Sequence, residues 1–249
     1  MFPDRAPMAE PRLIALSRRC VDYLFPPLCI ICDEMRVPHD RWLCENCKKN
    51  LLENHDGRKP CPRCGMNRRL GHCACTQGWE QPFESVYSIL DFDATVKAIM
   101  HQVKYREKRR FALYLGALLA DLVPPEVFSA ADALIAVPLH RKRERGRGYN
   151  QSLLLARGLA RGHAGRPPLE GVLQRVRNTA SQTKLDRAER THNMRGAFAV
   201  AAGMAQDIAG KSLLLVDDIV TTGATTAAAA KALLDAGCAS VRVLSIARD

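Results

Sequence analysis

The sequence predicts an α/β protein, with a parallel-sheet domain preceded by a small cysteine-rich zinc-ribbon module. Three observations predict it. Eight of the ten cysteines fall between Cys29 and Cys75, in close pairs. After Pro82, apolar runs of strand length alternate with segments of helical periodicity, as in sheets whose parallel strands are joined by crossover helices. Residues 213–225, LLLVDDIVTTGAT, set an apolar run against two adjacent carboxylates and a hydroxyl-rich turn. The expected division is an N-terminal amphipathic helix over 1–28, a double zinc ribbon over 29–80 and the sheet domain over 81–249.

In the first segment, Leu13, Leu16, Cys20 and Leu24 recur at helical spacing. The apolar stretch there is short and broken by Arg18 and Arg19, so a secretory signal is not expected, and no run of 18 apolar residues predicts a transmembrane segment. A cytoplasmic location is expected. The net charge is +11. Residues 1–85 hold 13 Lys/Arg against 11 Asp/Glu, whereas residues 86–249 hold 24 against 15. The cationic excess therefore belongs to the sheet domain, and it favours phosphate-bearing ligands or polyanions.

The cysteine pairs are Cys29/Cys32, Cys44/Cys47, Cys61/Cys64 and Cys73/Cys75. In a reducing compartment such pairs read as metal ligands rather than disulfides. Two thiolates from one tight turn reach a single zinc at about 2.3 Å each, and four complete a tetrahedron with no open position, which gives the metal a structural role. In CPRCG, Pro62 stiffens the turn and Gly65 tolerates the backbone after it. Two sites in series are the simplest assignment. Interleaved pairing, and His72 in place of one thiol of the last pair, stay open. Cys238 reads as a small buried residue at a helix-to-strand turn.

In the sheet domain, FESVYSIL reads as a strand, and ATVKAIMHQVKY and FALYLGALLADLV as helices, the second ending before Pro124 and Pro125. DALIAVPLH is a buried strand entering a basic loop, and NQSLLLARGLA is the next helix. SLLLVDD, GATTAAAAKALLDAG and SVRVLSIA complete a strand–helix–strand unit. Ligands of such sheets bind at the carboxyl ends of the strands, which selects the acid–threonine segment and the loop after Val137. A nucleotide-hydrolysing P-loop is excluded. Gly203 and Gly210 are separated by six residues rather than four, and GMAQDIAGKS precedes a strand instead of following one.

Asp217 and Asp218 can accept hydrogen bonds from neighbouring hydroxyls, such as those of a ribose, or hold a magnesium ion. In a fully extended strand they would point apart, so the chain is expected to turn there. Thr221, Thr222, Gly223, Ala224 and Thr225 then lead into a helix whose free N–H groups and positive dipole end suit a phosphate. Acids followed by a phosphate cradle describe a pentose phosphate.

LLLVDDIVTTGAT resembles the phosphoribosyl pyrophosphate (PRPP) motif of type I phosphoribosyltransferases. Together with the paired cysteines, AVPLHRKRERGRGYNQ (136–151) and NTASQTKLDRAERTHNMRGAF (178–198), in that order, the chain resembles the ComF family, known from bacterial competence and DNA uptake. The resemblance implies a type I phosphoribosyltransferase-like sheet. Asp217 and Asp218 would hold the ribose hydroxyls, and Thr221 to Thr225 the 5′-phosphate of PRPP carried with Mg²⁺. The basic loop, with Arg141, Lys142, Arg147, Asn150 and Gln151, would lie over the pyrophosphate, and Gln182 and Arg190 would belong to a hood that shields the reacting sugar. Structural zinc, single-stranded DNA and proteins of the DNA-uptake machinery are the further implied partners. Thr221 stands where hypoxanthine-type transferases carry an aspartate base, and the chain begins Met-Phe without a glutaminase cysteine. No nucleobase pocket is apparent. Three readings follow: a PRPP-binding protein that handles single-stranded DNA, an active phosphoribosyltransferase with an unidentified acceptor, and a PRPP-sensing regulatory or scaffold protein.

Overall fold

The computed structural model describes residues 27–34, 37, 42–71, 73, 75, 78–104, 108–179 and 193–249. The helix expected over 1–28 lies outside them except for Pro27 and Leu28, as do His72, Gln182, Arg190 and residues 105–107. Contacts divide the chain into two compact units, Met1–Asn50 and Leu51–Asp249.

In the first unit, Ile30 N donates to the Trp42 carbonyl and Val37 N to that of Pro27, both at 2.9 Å. These bonds fold the chain back so that the first two cysteine pairs meet. Helix α1, Glu45–Asp56, begins directly after Cys44.

The second unit holds a four-stranded sheet. Its strands are β1 (Val86–Asp91), β2 (Ala133–Ala136), β5 (Ser212–Val220) and β6 (Ser240–Arg248), in the order β1-β6-β5-β2. Every pairing is parallel. Helices α2 (Ala94–Gln102), α3 (Arg109–Ala120), α4 (Pro125–Ser129), α5 (Arg141–Arg147), α6 (Gln151–Leu159) and α7 (Ala224–Asp235) connect them. Sequence explains their limits. Asp93 caps α2 by accepting from Val96 N at 2.7 Å, Asn150 caps α6 by accepting from Ser152 N at 3.0 Å, and Pro125 opens α4.

The central strand is buried on both sides, as its unbroken apolar run requires. Leu213 and Leu215 pack in one apolar cluster with Ala229, Ala230 and Leu233 of α7. Leu214 and Val216, on the other face, are fully buried too, where α6 crosses β5 and β2. Helices α3 and α6 touch backbone to backbone. A Cβ on Gly116 would stand 2.3 Å from the Leu155 carbonyl oxygen, and one on Gly158 2.4 Å from that of Leu113. Only glycine fits this crossing.

Helices α1 and α4 were not expected from the sequence, and two further regions differ from expectation. Residues 141–147, expected as a loop, form α5, because His140 Nδ1 caps Lys142 N at 3.3 Å and Gly148 closes the turn at φ 86°. Its arginines and lysine are good helix formers. A two-stranded antiparallel ribbon, β3 (Leu173–Arg175) with β4 (Phe198–Val200), also lies beside the sheet. Strands of three residues carry too little periodicity to be read from sequence. Among the described residues, no helix is long and apolar enough to cross a membrane.

Candidate functional site

Strand β2 pairs with β5 only as far as Ala136 opposite Val216, whereas β5 continues along β6 to Val220 opposite Arg248. The chain therefore does not turn at the acidic pair, contrary to the sequence expectation. It stays in the strand, and the early end of β2 leaves that side of β5 open from Asp217 onward. A cleft of about 400 Å³ forms there at the carboxyl end of the sheet. It is lined by Asp217, Asp218 and all of Thr221 to Thr225, with Lys104, Arg143, Arg147, Gln151, Ser152 and Arg175 also on its walls.

Asp217 is buried, and its Oδ1 accepts from Ser152 Oγ at 3.1 Å and from Asp218 N at 2.9 Å. Asp218 Oδ2 accepts from Gln151 Nε2 at 3.2 Å and lies 3.6 Å from Lys104 Nζ, while its Oδ1 accepts from Ile219 N at 2.8 Å. Burial raises the Asp217 carboxyl well above the ordinary carboxylate range, and the negative charge of Asp218 beside it adds to the rise. The folded protein thus holds a proton that the unfolded chain has already lost, and this contribution to stability fades as pH rises through the folded value. Replacing Asp217 by Asn should flatten that dependence: between pH 5 and pH 9 the melting temperature of the wild type falls more than that of Asp217→Asn, and equal slopes would contradict it.

The turn after β5 completes the other half of the cleft. Gly223 sits at φ 83°, a left-handed conformation costly for other residues, and α7 starts at the next residue. Thr222 Oγ1 accepts from Ala224 N at 3.4 Å, and Ala227 N makes the first helical bond to Gly223 O at 2.8 Å. The first turn of the helix, with its N–H groups and positive dipole end, therefore borders the cleft at Ala224, Thr225 and Thr226.

The basic segment is divided by α5. Arg143 and Arg147 line the cleft, Arg143 donating to the Thr179 carbonyl at 2.9 Å and Arg147 to Gln151 Oε1. Arg141, Lys142 and Arg145 are exposed. Arg141 and Asn150 line a neighbouring cavity of about 570 Å³, and the Asn150 side chain is engaged as the α6 cap and in a 3.0 Å bond to the Val137 carbonyl.

Sequence reasoning missed Lys104, Ser152 and Arg175. Arg175 is the most notable, since it is buried, borders both cavities and stacks 5.5 Å from the Phe198 ring centre, and its Nε has no hydrogen-bond partner among the described residues. Burial pushes its guanidinium down from the usual value and Arg143 reinforces this, against the opposing pull of Asp217. No local signal marked Arg175, because β3 has only three residues and its alternation is too short to read.

The cysteines form two separate clusters, Cys29/Cys32/Cys44/Cys47 and Cys61/Cys64/Cys73/Cys75, each with its sulfurs within 4.8 Å of one another. Cys32 and Cys44 sulfurs are 3.9 Å apart, Cys61 and Cys75 4.0 Å, and Cys64 and Cys73 3.3 Å. Four thiolates around one zinc at about 2.3 Å stand roughly 3.8 Å from each other, so both sets fit a structural zinc. The clusters also keep the pairs in series. Burial opposes ionisation of Cys29, but N–H groups of Cys32 and Cys44 outweigh it and bring the thiol down to about 7. At Cys61, N–H groups of Cys64 and Arg63 likewise overcome burial and bring it to about 6. Each cluster holds one thiol prepared to ionise for a metal.

Comparison with known proteins agrees with this arrangement. The phosphoribosyl transferase domain model matches residues 151–249 and the double zinc ribbon domain model residues 20–78. The DNA utilization protein YhgH of Escherichia coli O6:H1 is 31% identical over 234 residues, covering 90% of this chain and 97% of that protein. Competence protein F of Haemophilus influenzae is 27% identical over 215 residues, covering 83% and 90%. Competence protein ComFC of Bacillus subtilis is 26% identical over 248 residues, covering 89% and 95%.

Proposed function

Because the chain belongs to the ComF family, with a double zinc ribbon and a phosphoribosyltransferase-type sheet, we propose that it binds PRPP with Mg²⁺ in the β5 cleft and handles single-stranded DNA on its basic surface during DNA uptake. One observation carries the ligand assignment: Asp217 and Asp218 share a cleft with the Thr221–Thr225 turn, so hydroxyl acceptors and a phosphate cradle face one ligand. Lys104, Arg143, Arg147 and Arg175 supply cationic charge on the same walls for a polyanionic group. Asp218, on the cleft wall, would hold the magnesium that accompanies PRPP, which would neutralise part of the phosphate charge. Thr221 supplies no carboxylate base, which favours binding over purine transfer. Calorimetric titration of PRPP with magnesium into the full chain tests the assignment: saturable heat at one site per chain is expected, and a flat trace would refute it.

The DNA part rests on the names of the relatives, which refer to DNA utilization and competence, and on the outward face of α5. Arg141, Lys142 and Arg145 project to solvent while Arg143 and Arg147 turn to the cleft. Contacts with single-strand phosphates release counterions, about 0.7 in the logarithmic salt slope per phosphate. Replacing the three exposed cations by alanine should therefore reduce the slope of single-strand affinity against salt by about 2 and leave PRPP binding within about twofold. An unchanged slope would remove α5 from the DNA surface.

A further inference from the structure

The turn after β5 is held from behind as firmly as it is open in front. Arg248, at the end of β6, is buried at 6% exposure. Its Nη1 donates to the Val220 carbonyl at 2.8 Å and also to that of Thr221, and its Nε donates to the Cys64 carbonyl at 3.0 Å. Trp79 Nε1 donates to the Thr222 carbonyl at 3.1 Å, and the Trp79 ring would lie 3.2 Å from a Cβ on Gly223. The Arg248 guanidinium in turn stacks over that ring, 5.7 Å from its centre.

Three consecutive carbonyls of the turn are thus pinned by two side chains, and one of these also grips the second cysteine knuckle. That knuckle is itself anchored to the sheet edge. Val86 N donates to the Arg63 carbonyl at 2.9 Å, and Arg58 joins the Gly65 carbonyl at 2.7 Å to Asp91 at 2.8 Å. The consequence follows from peptide geometry. In a planar trans peptide the carbonyl and the next N–H point in opposite directions. Holding the carbonyls of Val220, Thr221 and Thr222 backward aims the N–H groups of Thr221, Thr222 and Gly223 the other way.

We propose that the Cys61/Cys64/Cys73/Cys75 knuckle is the rear support of the phosphate turn, with Arg248 and Trp79 as positioning residues. Metal occupancy of the knuckle then sets how ordered the turn is and how tightly it takes a phosphorylated sugar. The affinity part rests on the phosphoribosyl reading above; the ordering part does not. The four cysteines fit the metal, as their spacing shows, and Cys64 contributes both a ligand sulfur and the carbonyl that Arg248 grips. If the knuckle relaxes without metal, this carbonyl moves, and the guanidinium that shares it with Val220 and Thr221 loses its register.

The test measures amide hydrogen exchange across residues 219–226 in the full chain, zinc-loaded and zinc-depleted, and in Trp79→Phe and Arg248→Met. Zinc content and PRPP titration are recorded on the same samples. Trp79→Phe keeps an aromatic ring at this position and leaves all four cysteines in place but loses the N–H; the turn should exchange about tenfold faster and PRPP should bind about tenfold more weakly, the loss of one buried hydrogen bond. Zinc depletion and Arg248→Met should exceed this while β5 and β6 amides stay protected. Should depletion open the sheet as well, Trp79→Phe with its metal in place decides. Unchanged exchange of the turn in Trp79→Phe, or in depleted protein with an intact sheet, overturns the proposal. A turn that loosens as expected in a protein that takes no PRPP even when zinc-loaded upholds the coupling and refutes the phosphoribosyl reading instead.

Discussion

Replacing Asp217 and Asp218 together by alanine is expected to weaken PRPP binding by about thirtyfold or more while leaving inorganic pyrophosphate bound as tightly as before, or more tightly. Two physical effects oppose each other here. PRPP is a polyanion, and removing two acids from a cleft that also holds Lys104, Arg143, Arg147 and Arg175 makes the site more positive. Charge alone would tighten binding. Against this, the Asp218 carboxylate offers a ribose hydroxyl a charge-assisted hydrogen bond of about 1.5–3 kcal/mol and the protonated Asp217 a neutral one of about 0.5–1.5 kcal/mol, together roughly 2–4.5 kcal/mol, or about one and a half to three decades of affinity. Pyrophosphate has no ribose and feels only the first effect. Opposite responses of the two ligands would therefore identify the acids as sugar acceptors. Binding of PRPP by the double variant within about threefold of the wild type would remove them from that role. Loss of the Asp217–Ser152 bond also disturbs the α6 start, so the pyrophosphate titration serves as the check that the cleft survives.

What could be read in advance, and what could not, separates along physical lines. Most strands and helices of the sheet domain were legible because each is a single apolar run or stripe with its own punctuation. The β5 strand was legible to Asp218, though its continuation to Val220 was not, α2 begins at the Asp93 cap and α3 stops short of Pro124. The acid–threonine turn was legible because its chemistry is contiguous in the chain. The cysteine clusters were legible because metal ligands come in short-range pairs. The α5 segment was misjudged because its charge drew attention from its helix propensity and its His140 and Gly148 boundaries. Contacts that wire the site together had no local signal at all. Trp79 meets Thr222 across 143 positions, and Arg248 meets Cys64 across 184. Ser152 enters the site only because α6 packs beside β5, so its role depends on tertiary geometry.

The two metal sites should fail differently, and Cys44→Ser and Cys64→Ser should expose the difference. Wild-type protein is expected to carry two zinc ions, and each variant one. In the first unit the described buried apolar residues other than ligands are few: Ile30, Val37 and Leu43. At about 1.5–3 kcal/mol each they contribute less than one structural zinc, whose apparent binding energy is about 10–16 kcal/mol. Metal therefore decides whether residues 27–34 and 42–44 are ordered, and Cys44→Ser should remove their exchange protection outright while the sheet melts close to its normal temperature. Cys61 and Cys64 sit instead in the same apolar cluster as Trp79, Phe83, Val86, Leu213 and Leu215, which does not depend on metal for its burial. Cys64→Ser should leave the sheet folded, lower its melting temperature by several degrees and loosen the turn at 220–223. The outcomes also discriminate between pairings. Because Cys44 and Cys64 belong to separate clusters in the structure, either variant should release one ion only. Loss of both ions from Cys44→Ser would show that the two sites share ligands or fold as one.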